Sequence, residues 1–307
     1  MSPPQFTTAL LHPRYWPTWL GFGCMYLVAQ LPFGLQMFLG KHLGRLTLHL
    51  AKRRRAIAER NIELCFPEKS AAARAQLVAD HFQSNGMALF EIGIAWFMPL
   101  RRLRKRFTVK GKAHWDALVE QGKGALVIGL HFSTLEIANV EVDRLFTLST
   151  SYRPHKNPVY DFVQYRRRMR HNRHSQNLHR KDIRAMINTL KQGGLLWYAP
   201  DQDYGRNYSE FVPWFGIATA TVSATPRLLK MAKVPALGIF YRRQADHRGY
   251  EIHFLPPLEG LPSGDDSADL AALNKYVEQY VRQNPAEYLW VHRRFKTRPK
   301  GEPSLYL

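Results

Sequence analysis

The sequence predicts an α/β fold in which a mostly parallel sheet is flanked by helices. Two observations carry this prediction. The first is an apolar run, Gly124 to Leu130, which is typical of a strand buried on both faces of a sheet. The second is the alternation of strand-like and helix-like segments from Phe107 onward, the order expected when helices connect parallel strands.

The segments of this region are predicted in chain order. The predicted strands span 107–111, 124–130, 148–152, 195–199, 235–241 and 250–255. The predicted helices span 114–121, 134–146, 158–171, 181–192, 219–232 and 270–283. Upstream, a long helix is predicted from Ala71 to Phe97, because Ser70 is a good N-cap and Pro99 stops the helix.

Composition limits the function classes. The chain has 307 residues and is 45% hydrophobic, which is enough for a packed core and excludes global disorder. It carries 44 Lys and Arg against 24 Asp and Glu, a net charge of +20, so an anionic partner is expected. The two cysteines, Cys24 and Cys65, form neither a disulfide framework nor a zinc cluster.

The segment 15–40 carries no charged residue and has aromatic residues at its start, as in a membrane anchor that spans the bilayer or lies deep in its interface. A buried core helix remains an alternative. A signal peptide fits less well, because the positive charges follow the apolar run and place the rest of the chain in the cytoplasm. The predicted organisation is a tail (1–14), the anchor (15–40), a basic helical linker region packing on the catalytic domain (41–106) and an α/β core (107–307).

His131 ends the apolar strand, at the edge where open α/β sheets place their chemistry, and Glu136 follows five residues later. Two interpretations are compatible with this spacing. Ser133 and Glu136 can form a capping box at the start of the next helix. Alternatively, His131 and Glu136 form an acid–base dyad, in which the carboxylate orients the imidazole and stabilises its charged form.

Two further loops at the same predicted edge carry polar groups. One includes Arg153 and leads into a helix with Asp161 and Arg168, and the other contains Asp201 and Asp203. Solvated arginines and ordinary turn chemistry are the alternatives for these residues. A metal site at the two aspartates lacks a visible third ligand, so no metal is expected.

The HFSTLE segment is an H-x4-E motif that resembles the H-x4-D/E acyltransferases, the glycerolipid acyltransferase-like superfamily. Further segments narrow the resemblance to the late acyltransferases of bacterial lipid A biosynthesis, closest to the lauroyl type, over essentially the whole chain. They are FTTALLHPRYWPTWLG, RNIELCFPE, ALFEIGIAWF, YRPHKNPVYDF, WYAPDQDYG and WVHRRFKTRP.

This resemblance implies transfer of a fatty acyl chain, laurate by likeness, from acyl-acyl carrier protein to Kdo(2)-lipid IV(A), without a cofactor. It implies a single-pass enzyme of the bacterial inner membrane with its catalytic domain on the cytoplasmic side, in contact with anionic lipids. By position, His131 and Glu136 become the catalytic pair and Arg168 a substrate-binding residue. Arg153, Asp161, Asp201 and Asp203 are further substrate-binding candidates.

Several alternatives remain at this stage. A myristoyl or palmitoleoyl transferase of the same pathway and a glycerophospholipid acyltransferase share the expected chemistry. A thioesterase with a similar site would release free fatty acid without a lipid acceptor. A nucleic-acid-binding protein would explain the positive charge, but no recognition motif is present and the uncharged segment 15–40 is unusual for that class.

Overall fold

The computed structural model describes residues 4–172, 174–179 and 181–306. Its N-terminal part is helical. The helices are α1 (Trp16–Val28), α2 (Phe33–Leu50), α3 (Lys52–Cys65), α4 (Ala71–Phe97) and α5 (Leu100–Leu103). The predicted bounds of α4 are confirmed, and the Ser70 hydroxyl accepts a hydrogen bond from the backbone N–H of Ala73, which caps the helix.

The uncharged segment 15–40 does not form one continuous helix. It forms α1 and the first part of α2. The helix is interrupted at 29–32, because Pro32 has no N–H to continue the helical hydrogen bonds. In the part of the chain that the structure describes, no helix has both the length and the apolar character needed to cross a bilayer.

The sheet confirms the predicted fold class. Its strands are β1 (Phe107–Lys110), β2 (Ala125–Ile128), β3 (Leu148–Tyr152), β4 (Asn177–His179), β5 (Leu195–Tyr198), β8 (Ala236–Arg243) and β9 (Tyr250–Pro257), with β6 (Ser209–Trp214) and β7 (Ile217–Val222) forming a separate antiparallel hairpin. The order in the sheet is β1-β9-β8-β2-β5-β3-β4, and β8–β9 is the antiparallel pair among otherwise parallel neighbours.

Helices cover this sheet. They are α6 (Lys112–Glu120), α7 (Leu135–Leu145), α8 (Pro158–Arg168), α9 (Ile183–Lys191), α10 (Ala224–Ala232) and α11 (Asp266–Gln283). One prediction is wrong: residues 219–222, expected at the start of a helix, belong to β7, and α10 begins only at Ala224. Strands β4 and β6 were not predicted.

The central strand β2 is entirely buried, between β8 on one side and β5 on the other. Because β2, β5 and β3 run parallel, their carboxyl ends meet at one edge of the sheet. This edge receives the loop after β2, the loop after β3 and the loop after β5. The fold therefore brings together the three polar loops that the sequence singled out.

Candidate active site

His131 lies in the loop between β2 and α7 and lines a cleft of about 210 Å³. The loop leaves the strand at Gly129, where a Cβ atom would lie 2.1 Å from the indole nitrogen of Trp197. A side chain there would displace the tryptophan, so glycine is required for this close approach. Trp197 in turn packs edge-on against the imidazole of His131, with 5.9 Å between ring centroids.

The carboxylate that contacts His131 is that of Asp201, three residues after the end of β5. The imidazole Nδ1 lies 2.6 Å from Oδ1, and the backbone N–H of His131 donates to Oδ2 at 2.9 Å. Asp201 thus fixes both the ring and the backbone of the residue. Since Nδ1 is held by this carboxylate, Nε2 is the nitrogen left to the cleft.

The electrostatics of this pair favour its charged form. Burial alone lowers the pKa of His131, but the charge of Asp201 and its hydrogen bond raise the pKa above its ordinary value. For Asp201, burial acts to raise the pKa, yet His131 outweighs burial and holds it below the ordinary value. The imidazolium is therefore stabilised at the position where a general base would acquire a proton.

Glu136 occupies a different position from the one expected of a dyad partner. Its carboxylate accepts two hydrogen bonds from Arg168, Nε at 2.9 Å and Nη2 at 2.7 Å, and a third from the indole N–H of Trp96 at 2.6 Å. Among the described residues, no hydrogen bond joins Glu136 to His131. Burial raises the pKa of Glu136, but Arg168 and Trp96 bring it below the ordinary value, so the carboxylate is ionised.

The capping box is not formed either. Helix α7 begins at Leu135, so the N-cap is Thr134 and not Ser133. The Thr134 hydroxyl donates to the carboxylate of Glu287 at 2.8 Å, and the Ser133 hydroxyl contacts Ser84 at 2.7 Å. Both hydroxyls are used in tertiary contacts, which replaces the local capping that the spacing suggested.

The loop that carries His131 is held by a buried ionic network. Arg243 of β8 forms a bidentate pair with Glu91 of α4, at 2.6 Å from each carboxylate oxygen, and also donates to the Ser133 hydroxyl. The backbone carbonyl of Glu287 accepts from the N–H of Ser133 at 2.8 Å. These contacts hold the loop at Ser133, and none of them was predicted.

The other predicted site residues divide into two groups. Arg168, the last residue of α8, lies in the cleft beside Glu136. Asp161 instead accepts from the Tyr152 hydroxyl and from the backbone N–H of His155, so it braces the loop after β3. Arg153 is exposed in that loop.

Asp203 lies outside the cleft as well. Its carboxylate accepts from the backbone N–H of Gly205 at 2.8 Å and from the N–H and hydroxyl of Thr297, at 2.8 and 2.9 Å. It therefore joins the loop after β5 to the C-terminal segment. Of the two aspartates in this loop, Asp201 contacts His131 and Asp203 has a structural position.

Several residues of the cleft were missed at the level of sequence. Trp96, Asn139, Asp143, Asn177 and Trp197 line it together with His131, Glu136 and Arg168. Trp96 is a buried residue of α4, and a buried indole N–H needs a hydrogen-bond partner; that requirement was the available signal. Asn177 lies on β4, a strand that the sequence pattern did not reveal.

Comparison with known proteins decides the family. Residues 3–297 match the family described as bacterial lipid A biosynthesis acyltransferase. The chain belongs to this family. It is 44% identical to the lipid A biosynthesis lauroyltransferase of Escherichia coli (strain K12), over 99% of this chain and 99% of the relative. It is 41% identical to the palmitoleoyltransferase of the same organism, over 99% and 98% of the two chains.

A third relative is more distant. The lipid A biosynthesis myristoyltransferase of Escherichia coli (strain K12) is 29% identical over 99% of this chain and 94% of its own length. The expected family is thereby confirmed, and the chain is an enzyme, an O-acyltransferase of lipid A biosynthesis. Because the relatives carry different acyl specificities in their names, family membership leaves the acyl chain open.

Proposed function

We propose that this enzyme transfers a fatty acyl chain from acyl-acyl carrier protein to a hydroxyl of a 3-hydroxyacyl chain on Kdo(2)-lipid IV(A), a late step of lipid A assembly. The observation that carries the proposal is that His131, which is paired with Asp201, lines one cleft with Arg168, which is paired with Glu136. The first pair supplies a base and the second a fixed positive group, the two functions that acyl transfer from a thioester needs.

His131 is the general base. Its Nε2 takes the proton of the acceptor hydroxyl while the oxygen attacks the thioester carbonyl, which forms a tetrahedral oxyanion. Asp201 holds the tautomer with the proton on Nδ1 and stabilises the imidazolium as it forms. When the C–S bond breaks, the imidazolium returns the proton to the departing thiolate, so the products are the ester and the free thiol.

Arg168 stabilises the oxyanion. Its Nε and Nη2 groups donate to Glu136, and its remaining N–H groups are available to the cleft that it lines. Glu136 fixes the plane of the guanidinium and compensates its charge when the cleft is empty. In this proposal Glu136 orients Arg168. The sequence had predicted that Glu136 would orient His131, and Asp201 takes that role instead.

The apolar surface of α1 and α2 supports membrane docking. Trp16, Leu20 and Leu27 of α1 and Phe38 of α2 are more than half exposed. Helix α1 has 13 residues and is about 20 Å long, whereas the hydrocarbon core of a bilayer is about 30 Å thick. We therefore propose that the two helices lie in the cytoplasmic interface of the inner membrane, with the basic surface of the protein on anionic lipids.

The same charge suits the donor. Acyl carrier protein is acidic, and a net charge of +20 favours its encounter with this enzyme at low ionic strength. Laurate is the proposed chain because of the lauroyl-type resemblance. Palmitoleate is the second candidate, because the palmitoleoyltransferase relative covers the chain as completely and at 41% identity.

The test is an assay of the purified enzyme in detergent with acyl-acyl carrier protein thioesters and Kdo(2)-lipid IV(A), with the product identified by mass. We expect a single added acyl chain on the lipid, and loss of about 10²-fold or more for His131→Ala. A parallel reaction with a lysophospholipid acceptor tests the glycerophospholipid alternative. Preferred acylation of that acceptor, or release of free fatty acid as the main product, would contradict the proposal.

A further inference from the structure

Helix α1 lies against the wall of the cleft. Phe22 of α1 packs against the indole of Trp96, with 6.1 Å between ring centroids, and Trp96 lines the cleft. The Thr18 hydroxyl of α1 accepts a hydrogen bond at 2.9 Å from the side-chain amide of Asn157, the N-cap of α8. The helix whose outer face is proposed to contact the membrane therefore borders the cleft in which acyl transfer is proposed to occur.

A short series of ring contacts leads from the outer face of α1 to the cleft. Tyr26 is half exposed and immediately precedes Leu27, so it lies at the flank of the exposed apolar face of α1. The ring of Tyr26 meets that of Phe97 edge-on, with 5.9 Å between centroids. The guanidinium carbon of Arg167 lies 4.7 Å from the centroid of Phe97, and Arg167 lines the cleft. Arg167 therefore lies between the membrane-facing side of the molecule and the cleft.

The charge of Arg167 is not used by the protein. Among the described residues, no carboxylate forms an ion pair with it. By contrast, Arg168 pairs with Glu136, and Arg170 donates to backbone carbonyls at the end of α4. Burial and the neighbouring charge of Arg166 lower the pKa of Arg167, but the guanidinium stays protonated at neutral pH. Stacking on a ring uses the face of the guanidinium and leaves its N–H edge free to bind an anion.

The position of Arg167 favours an anion on a lipid head group. In the proposed function, the lipid acceptor lies in the membrane interface while one of its acyl chains presents a hydroxyl to His131. Kdo(2)-lipid IV(A) carries phosphate on the same sugars that carry its acyl chains, so a phosphate accompanies the reacting chain to the edge of the cleft. Phosphate oxygens match the paired N–H groups of a guanidinium. Acyl carrier protein is water-soluble, so a site beside the lipid-facing helix suits the acceptor better than the donor.

We propose that Arg167 binds a sugar phosphate of the lipid acceptor at the junction between the membrane face and the cleft. The assignment rests on the proposed function. Arg167 takes no part in the chemistry: it holds the head group so that the acceptor hydroxyl is within reach of His131. Arg168, the next residue of α8, remains paired with Glu136. Two adjacent arginines thus have different roles, head-group binding and stabilisation of the oxyanion.

The test compares three forms of the purified enzyme in detergent: wild type, Arg167→Gln and Arg166→Gln. Arg166 is the matched control, because its guanidinium lies over Phe162 at 5.7 Å and it does not line the described cleft. Arg167→Gln should raise KM for Kdo(2)-lipid IV(A) about tenfold, the scale of a charge-assisted hydrogen bond, and leave KM for acyl-acyl carrier protein unchanged. Arg166→Gln removes the same charge and should leave both values unchanged. Arg167 is exposed, so neither replacement should lower the melting temperature.

Two altered acceptors identify the anion. With an acceptor whose phosphates have been removed enzymatically, Arg167→Gln and the wild type should have the same KM. With an acceptor that lacks the Kdo sugars but keeps its phosphates, the difference between the two enzymes should remain. A difference that persists without phosphate, one that disappears without Kdo, or a raised KM for the donor would each overturn the proposal.

Equilibrium binding of the same lipids to the enzyme in detergent measures this contact without turnover. The phosphorylated acceptor should bind Arg167→Gln about tenfold more weakly than the wild type, and the dephosphorylated acceptor should bind both equally. Equal binding of the phosphorylated acceptor to both enzymes would overturn the Arg167 site. A wild type that binds this lipid through Arg167 but transfers no acyl chain to it would instead contradict the proposed function alone.

Discussion

Two uncharged, apolar stretches of this molecule differ in how far the folded protein buries them. In β2, the side chains of Ala125 to Ile128 are at most 1% exposed, because β5, β8 and the covering helices bury them. In α1, Leu20 is 71% and Leu27 is 67% exposed. The buried apolar surface of β2 stabilises the fold, whereas that of α1 stays exposed after folding and can contact a bilayer. Hydrophobicity alone does not separate the two cases; the covering elements do.

The exposed helices are nevertheless firmly attached. Helix α2 crosses α4 at glycines, and a Cβ atom on Gly86 would lie 2.1 Å from the carbonyl oxygen of Gly40 and 2.4 Å from the nitrogen of Gly44. These are backbone atoms, which cannot move aside as a side chain can. The close crossing holds one face of α2 against the protein and leaves the other face outward.

The largest effect is expected from breaking this crossing. Gly86→Leu should lower the free energy of unfolding by about 3 kcal/mol or more, because overpacking against backbone forces the helices apart. The measurement is denaturant unfolding in detergent. The matched control is Gly23→Ala in α1, where no atom lies within 4 Å of the added carbon, and where alanine should stabilise the helix by up to about 1 kcal/mol. Equal stability of the two variants would contradict the close packing.

A smaller effect is expected from charging the exposed face. Leu20→Glu and Leu27→Glu should each weaken binding to anionic vesicles by about tenfold, because burying a leucine contributes about 1.5–3 kcal/mol. Flotation with lipid vesicles measures this. Met231→Glu changes an apolar residue on α10 that is 57% exposed, and this variant should bind as the wild type does. Unaltered flotation of both α1 variants would show that this face does not contact lipid.

The smallest effect concerns Asp143, a residue of α7 that lines the cleft. The pKa of Asp143 is raised to about 7, so the folded protein holds this proton more tightly than the unfolded chain does. Stability from this group is complete below the unfolded pKa of about 4 and declines as the pH rises toward 7. Asp143→Asn should therefore raise the melting temperature by a few degrees at pH 8 and leave it unchanged near pH 4. A larger stabilisation at pH 4 than at pH 8 would contradict this assignment.

The sequence was most informative where local signals agreed. Helix α4 was predicted with its correct ends because Ser70 and Pro99 mark them chemically. The β6–β7 hairpin was missed although the sequence shows Gly216, a residue that favours turns, followed by the run Ile217–Val222, which is rich in β-branched residues. In the structure Phe215 and Gly216 both have positive φ. Residues 219–222 were assigned to the following helix because helical periodicity was given more weight than the strand propensity of β-branched residues.

The site was only partly predictable for a different reason. His131, Glu136 and Arg168 were placed at one edge of the sheet because strand ends converge there. Which carboxylate contacts His131 depends on Asp201, which lies 70 residues further along the chain and approaches only because β5 pairs with β2. The spacing of five residues showed that His131 and Glu136 are near each other in the chain. It could not show which side chains form hydrogen bonds with them.

The central claim is that Asp201 and Glu136 act on different groups, and the pH dependence of kcat/KM tests it most directly. His131 must be neutral to accept a proton, so activity falls as the pH drops through its pKa. Asp201 raises that pKa, so Asp201→Asn should shift the acid limb to lower pH and reduce the plateau by about 10²-fold. Glu136→Gln should lower the plateau and leave the acid limb in place. The reverse pattern, in which Glu136→Gln shifts the limb and Asp201→Asn does not, would contradict the account.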